Sequence, residues 1–171
     1  WDFVNDDNDV FDDNGHGTVV THSIFSKLKD ARIPFQILPI KAFNADGKTK
    51  YSTIICSYIY AMNNPDVDII NMSFGWYIQK LSILNSYMVN TQDILVSTSA
   101  GKLQLNTDNI PHFPSGYNHD FIIASAGINY NQTGLASMSN FGPQTVDVAA
   151  THYYSFTYNT TSQMHQGTSY A

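Results

Sequence analysis

Two residues near opposite ends of the 171-residue chain have side chains and surroundings suited to catalysis. His16 lies between two glycines in the segment NGHGT, and Ser169 lies in the segment GTSYA. Histidine suits general-base work because its unperturbed pKa is near neutrality. A serine in a tight turn exposes its hydroxyl beside backbone N–H groups, as acyl transfer requires. The pair therefore suggests a base and a nucleophile. The structural alternatives are a turn or capping histidine and a helix N-cap serine.

The sequence around each of these residues predicts the element that holds it. Val20, Ile24 and Leu28 recur at helical spacing, which predicts a helix over residues 18–29 with His16 at or just before its N-terminus. Gly167 permits a strand to end sharply, and Ser169 then opens a helix.

The middle of the chain alternates between predicted strands and predicted helices. Apolar runs predict strands over residues 37–43, 67–72, 94–98 and 121–126, and helical spacing predicts helices over residues 51–62 and 78–89. This alternation is typical of an α/β fold with a parallel sheet covered on both faces. Ligands bind beyond the carboxyl ends of such strands, where Ser73, Phe74 and Gly75 follow one strand and Ser99, Ala100 and Gly101 follow another. Tight packing of strand against loop is the alternative explanation for these two segments.

The composition excludes several classes of protein. The length fits one domain, residues 1–171, and 43% hydrophobic with 13% charged residues is typical of a globular chain. A net charge of −6 argues against nucleic-acid binding, and no apolar run approaches the ~18 residues of a membrane span. We expect a monomer.

The single cysteine, Cys56, excludes an internal disulfide and is interpreted as a core residue.

The acidic segment before His16 contains weak candidates for calcium ligands. Asp6, Asp9 and Asp12 supply the hard oxygen atoms that calcium prefers, but their spacing does not match the helix-loop-helix calcium site. A solvated acidic loop is the alternative. We expect no other metal and no cofactor. His112 and His119, in or at the end of the polar segment 103–119, lack metal-ligand partners at useful spacing and are interpreted as surface histidines.

Five stretches in order make the whole chain resemble the subtilisin-like serine proteases, or subtilases. They are the His16 and Ser169 segments together with residues 38–47, 67–75 and 136–143. The resemblance implies a three-layer fold, a mostly parallel twisted sheet with helices on both faces, incomplete here at both ends. It implies a secreted or cell-surface serine endopeptidase that acts on polypeptides, with Ser169 as nucleophile and His16 as base. By the same resemblance, Ser73, Phe74 and Gly75 pair with the substrate backbone. Ser99, Ala100 and Gly101 line a slot for a sizeable apolar or aromatic side chain before the scissile bond.

The chain also departs from the family pattern. No residue before His16 matches the family's catalytic aspartate, and the chain ends two residues after Ser169, where the family continues with a helix. We therefore expect a nearly inactive fragment of a larger protein. Lys102 replaces the asparagine whose amide donates into the oxyanion hole, and Thr21 and His22 replace small residues, where His22 is expected to crowd the helix. These changes keep open an alternative function, a catalytically impaired domain that binds peptides or acts as a scaffold. An unrelated α/β hydrolase is disfavoured because Ser115-Gly116 lacks the leading glycine of the Gly-x-Ser-x-Gly elbow.

Overall fold

The computed structural model describes residues 1–91 and 93–171, which form two compact units. The first unit spans Trp1–Asp66 and the second spans Val67–Ala171. The predicted α/β organisation with a parallel sheet is confirmed, and the sheet lies in the second unit.

The two predicted helices of the first unit are confirmed. Helix α1 spans His16–Asp30 and helix α2 spans Tyr51–Met62. Helix α1 begins before the predicted residue 18 because Gly15, with φ of 91°, turns the chain into the helix directly at His16. Thr21 and His22 are exposed, so the expected crowding at His22 is not observed.

The predicted buried strand over residues 37–43 is wrong. In the first unit, the strand pairing of this segment is a single bridge between Lys41 and Asp2. A strand needs a continuous ladder of backbone hydrogen bonds, and the described residues of this unit supply that ladder only around Lys41. Ile37 and Leu38 accordingly remain about two-fifths exposed, at 42% and 40%.

The prediction that Cys56 is a core residue is also wrong, because its side chain is exposed. Helix α2 buries Ile54, Tyr58 and Ala61. Cys56 lies two residues from both Ile54 and Tyr58, which places it about 200° around the helix from each. It therefore lies on the solvent side of a helix whose sequence is apolar on more than one face.

The second unit is built on a four-stranded parallel sheet. The strands of the whole unit are β1 (Ile69–Met72), β2 (Trp76–Tyr77), β3 (Leu95–Ser99), β4 (His112–Phe113), β5 (Ile122–Ile128), β6 (Val148–Thr151), β7 (Tyr153–Tyr158) and β8 (Thr161–Gln166). The order in the main sheet is β1-β3-β5-β6, and every pair is parallel. Val96 of β3 and Ala124 of β5 are fully buried because these strands have a neighbour on each side. The predicted strands at 67–72, 94–98 and 121–126 are thus confirmed, with boundaries shifted by one or two residues.

The helix predicted over residues 78–89 forms only in its second part. Helix α3 spans Ser82–Val89 and buries Leu84 and Met88 as the spacing predicts. Ile78 instead has φ of 70° and donates its N–H to Pro111 O at 2.8 Å. The residues before it form β2, which pairs antiparallel with β4. Pairing with a distant segment therefore overrides helical periodicity at this point.

The segment before the serine is a hairpin. Strands β7 and β8 pair antiparallel with six residue pairs in register. After β8, Gly167 has φ of 153° and leads into a short 3-10 helix over Thr168–Tyr170. The predicted sharp end of a strand at Gly167 is confirmed, and the helix that follows is a single 3-10 turn.

Candidate functional site

Ser169 is held by reciprocal hydrogen bonds to the residue that follows β1. Its Oγ donates to Ser73 O at 3.0 Å, and Ser73 Oγ donates to Ser169 O at 3.1 Å. Ser169 is half-buried. Gly167, not Ser169, occupies the N-cap position of the 3-10 helix, so the N-cap alternative for the serine is wrong.

The neighbouring threonine ties the same turn to the end of β3. Gly101 N donates to Thr168 Oγ1 at 3.1 Å, and both residues are buried. The carboxyl ends of parallel strands meet at one edge of a sheet, which is why Ser73 and Gly101 both reach the Thr168–Tyr170 turn. The structure therefore brings together Ser169, the segment 73–75 and the segment 99–101.

His112 lies between two of the glycines in these segments. A Cβ added to Gly75 would lie 2.3 Å from both Cε1 and Nε2 of His112, and one added to Gly101 would lie 2.9 Å from Nε2. The ring therefore contacts the backbone of both segments. Only glycine permits this approach at either position.

The prediction that His112 is a surface histidine is wrong, since only 3% of it is exposed. Its Nδ1 lies 2.8 Å from Ser115 Oγ, and burial lowers the pKa of the imidazole to about 4. The pairing of β4 with β2 carries the residue inward, and neither its spacing nor its polar neighbours indicated that pairing. His119 is half-buried and lies 3.0 Å from Asn85 Oδ1, so it is not fully at the surface either.

Asn140 organises the turn that contains Gly101 and Lys102. It is fully buried, and its Oδ1 accepts the N–H groups of Leu103 at 2.9 Å and Leu105 at 3.0 Å. Its Nδ2 donates to Ala100 O at 2.8 Å and to Tyr77 OH at 2.9 Å. Its hydrogen bonds to Ala100, Leu103 and Leu105 hold the backbone on both sides of Lys102. The sequence comparison singled out the segment 136–143 but assigned no role to this amide.

His16 is positioned in the first unit by a carboxylate-capped helix start. It is the first residue of α1 and is exposed. Asp12 Oδ2 accepts the N–H of Thr18 and its hydroxyl, both at 2.7 Å, and Oδ1 accepts the N–H groups of Asn14 and Gly15. Burial raises the pKa of Asp12, but the hydrogen bonds from Thr18 and from the backbone outweigh it and lower the pKa overall.

The sequence model of the subtilase family matches residues 1–171, the whole chain. The chain belongs to the subtilase family. Family membership accounts for the shared order of the histidine segment, the strand ends and the serine turn described above.

The curated relatives of this subtilase are proteases of greater length. It is 31% identical over 144 residues to Subtilisin-like protease 5 of Arthroderma otae, covering 80% of this chain and 35% of the relative. It is 29% identical over 158 residues to the Thermophilic serine proteinase of Bacillus sp. strain AK1, covering 88% of this chain and 37% of the relative. The chain thus spans slightly more than a third of these relatives.

A solved structure of a cold adapted subtilisin-like serine proteinase has the same fold. It superposes with a TM-score of 0.83 at 22% identity and covers 100% of this chain and 62% of the solved one. At this identity the likeness establishes the fold, which is subtilisin-like.

Lys102 and the acidic residues before His16 were predicted to have functional roles. Lys102 is exposed at the turn held by Asn140, and its role at the oxyanion position stays a prediction. Within residues 1–91 and 93–171, no three or more His, Cys, Asp or Glu side chains form a group able to hold a metal. Asp12 already accepts four hydrogen bonds. Calcium binding by Asp6, Asp9 and Asp12 stays a prediction.

No helix in the described part of the chain combines the length and the apolar character of a membrane span.

Proposed function

We propose that this subtilase is part of a serine endopeptidase that hydrolyses polypeptides through Ser169. The observation that carries the proposal is the hydrogen bonding of the Thr168–Tyr170 turn to the residues that follow β1 and β3. This arrangement supports the proposal, because the hydroxyl lies beside backbone segments from two strand ends, the kind of location where open α/β sheets bind ligands.

In the proposed reaction, Ser169 Oγ attacks the substrate carbonyl while His16, as the general base, takes its proton. His16 then gives this proton to the leaving amine as the peptide C–N bond breaks, and a water molecule hydrolyses the acyl-enzyme and restores the serine. Ser169 Oγ now donates its proton to Ser73 O at 3.0 Å. The hydroxyl must therefore rotate away from this carbonyl before it presents the proton to a base. The segment Ser73, Phe74 and Gly75 is proposed to contact the substrate backbone, and Ser99, Ala100 and Gly101 are proposed to border its side chain.

The finer properties follow from the family and are part of the proposal. We propose that the protein acts outside the cell or at its surface, as a monomer and without binding nucleic acid. Recovery of the natural protein from the culture medium, and its mass by sedimentation equilibrium, test the location and the monomeric state.

The test uses the complete natural protein that carries this chain and a fluorophosphonate probe, which reacts with activated serines. We expect labelling of the parent protein, and loss of labelling in Ser169→Ala and in His16→Ala. Circular dichroism serves as the folding control for both variants. Labelling that persists in folded Ser169→Ala would show that another residue reacts and would overturn the assignment.

A second candidate function is a catalytically impaired domain that binds peptides. Lys102 favours it, because a lysine replaces the amide donor that this family uses at the oxyanion position. A folded parent protein that is not labelled, but that binds peptides by calorimetry, would establish this function instead.

A further inference from the structure

A histidine ring occupies the space between the two segments proposed to contact the substrate. The backbones of Gly75 and Gly101 approach the imidazole of His112 so closely that a Cβ on either would overlap it or press against it. We call the space between these two glycines the glycine slot. The resemblance to the family implied that Ser99, Ala100 and Gly101 line a slot for a sizeable apolar or aromatic side chain.

Two further side chains close the glycine slot around the ring. A Cβ on Gly101 would also lie 2.9 Å from Tyr77 OH and 2.5 Å from Asn140 Nδ2. The rings of Tyr77 and His112 contact each other edge to face, with centroids 4.9 Å apart. These two residues are also paired in register between β2 and β4. Displacing the ring would therefore disturb a strand pair as well as a side chain.

The orientation of the ring is set by Ser115. Ser115 Oγ donates its hydrogen to His112 O at 2.9 Å. Because a hydroxyl has only one hydrogen, it must accept from Nδ1–H of His112 at 2.8 Å. This assigns the tautomer in which Nε2, the ring nitrogen that lies beside both glycines, carries no proton. Burial, which lowers the pKa of this imidazole to about 4, keeps the ring neutral at neutral pH.

We infer that His112 restricts the glycine slot to small side chains, so that this subtilase cleaves after glycine, alanine or serine rather than after aromatic residues. The inference rests on the proposed function, because it takes the segments 73–75 and 99–101 to be the walls of the substrate site. An aromatic side chain would have to displace a buried ring that is fixed by Ser115 and Tyr77. Inserting extra volume into packed space is unfavourable.

The test compares kcat/KM of the complete natural protein for two tetrapeptide substrates that differ only in alanine or phenylalanine before the scissile bond. We expect the alanine substrate to be preferred at least tenfold. His112→Gly opens the slot, and we expect it to lower this preference at least tenfold. His119→Ala is the matched control, because His119 lies in the same loop region but bonds Asn85, and we expect its ratio to equal that of the parent.

The outcomes separate this inference from the proposed function. Fluorophosphonate labels the serine without occupying the slot, so labelling with equal rates for the two substrates overturns this inference alone. An unchanged ratio in folded His112→Gly also overturns it. If His112→Gly does not fold, the ratio of kcat/KM values in the parent and in the milder variant His112→Ser tests the inference. If the parent is not labelled, calorimetry with the two product tetrapeptides tests whether the glycine slot excludes a large side chain. Equal affinities for the two peptides overturn the inference.

Discussion

At the scale of single residues, Lys102 stands at the position to which the family resemblance assigns the oxyanion donor. Its neighbours are fixed, since Asn140 holds Ala100 on one side and Leu103 on the other. The side chain itself is exposed on a long flexible stem. Such a side chain is a poorly preorganised donor, whereas a short amide on a fixed turn is a well-placed one.

We therefore expect Lys102→Asn to raise kcat for a peptide substrate in the complete natural protein. The gain should be about 10²–10³-fold, the size of the loss when one oxyanion donor is removed from a subtilisin. Lys102→Ala is the control, since it removes the lysine without adding a donor, and it should give no gain. An equal gain in both variants would mean that the lysine obstructs the site and that no donor is missing.

At the scale of elements, the start of helix α1 depends on a residue outside the helix. The N-cap position is Gly15, which has no side chain to accept the free N–H groups of the first turn. Asp12 takes over this task for Thr18, and its carboxylate also holds the turn before the helix. The position of His16 in the first turn therefore depends on Asp12.

We expect Asp12→Ala to lower the free energy of unfolding by about 1 kcal/mol, the usual cost of losing a helix cap. Thermal unfolding followed by circular dichroism at pH 7 measures this change. Asp9→Ala is a suitable control because the Asp9 carboxylate accepts the N–H of a loop residue, Phe11, and its loss should cost less. Equal losses in the two variants would argue against a capping role.

At the scale of the whole molecule, several buried or hydrogen-bonded groups make the fold sensitive to acid. The pKa of His112 is lowered to about 4 by burial, so below its ordinary value of 6.5 the unfolded chain binds a proton that the folded chain does not. Stability from this residue therefore falls as pH decreases from about 6.5 to 4. Burial raises the pKa values of Asp2 and Asp12, but hydrogen bonds outweigh it, so each pKa is lowered overall. Their contribution is lost below about 3.8.

We expect the free energy of unfolding to decrease by roughly 3 kcal/mol at most between pH 6.5 and 4 because of His112. Urea unfolding at pH 7, 5.5 and 4.5 measures it. Trp76 in β2 reports on the second unit, and Trp1→Phe removes the signal of the other tryptophan. His112→Gln should abolish this pH dependence. If the dependence persists in folded His112→Gln, another group is responsible.

The sequence by itself determined the features that depend on neighbouring residues. Helical spacing predicted α1 and α2, the apolar runs predicted β1, β3 and β5, and Gly167 predicted the turn that carries Ser169. These predictions succeeded because side chains three or four residues apart share a helix face, and because a glycine permits a sharp turn wherever it occurs. The family resemblance also implied that the segments 73–75 and 99–101 contact the substrate, and this role stays a prediction.

Only the tertiary structure decided the features that depend on contacts between distant segments. The pairing of β2 with β4 shortened α3 and buried His112, and the side chain of Asn140 joined Tyr77 to the turn around Lys102. The segment 37–43 is apolar enough for a buried strand but has only one bridge in its unit. The local sequence pattern indicates how apolar a segment is. Packing between distant parts of the chain determines which segment pairs with it and in which register.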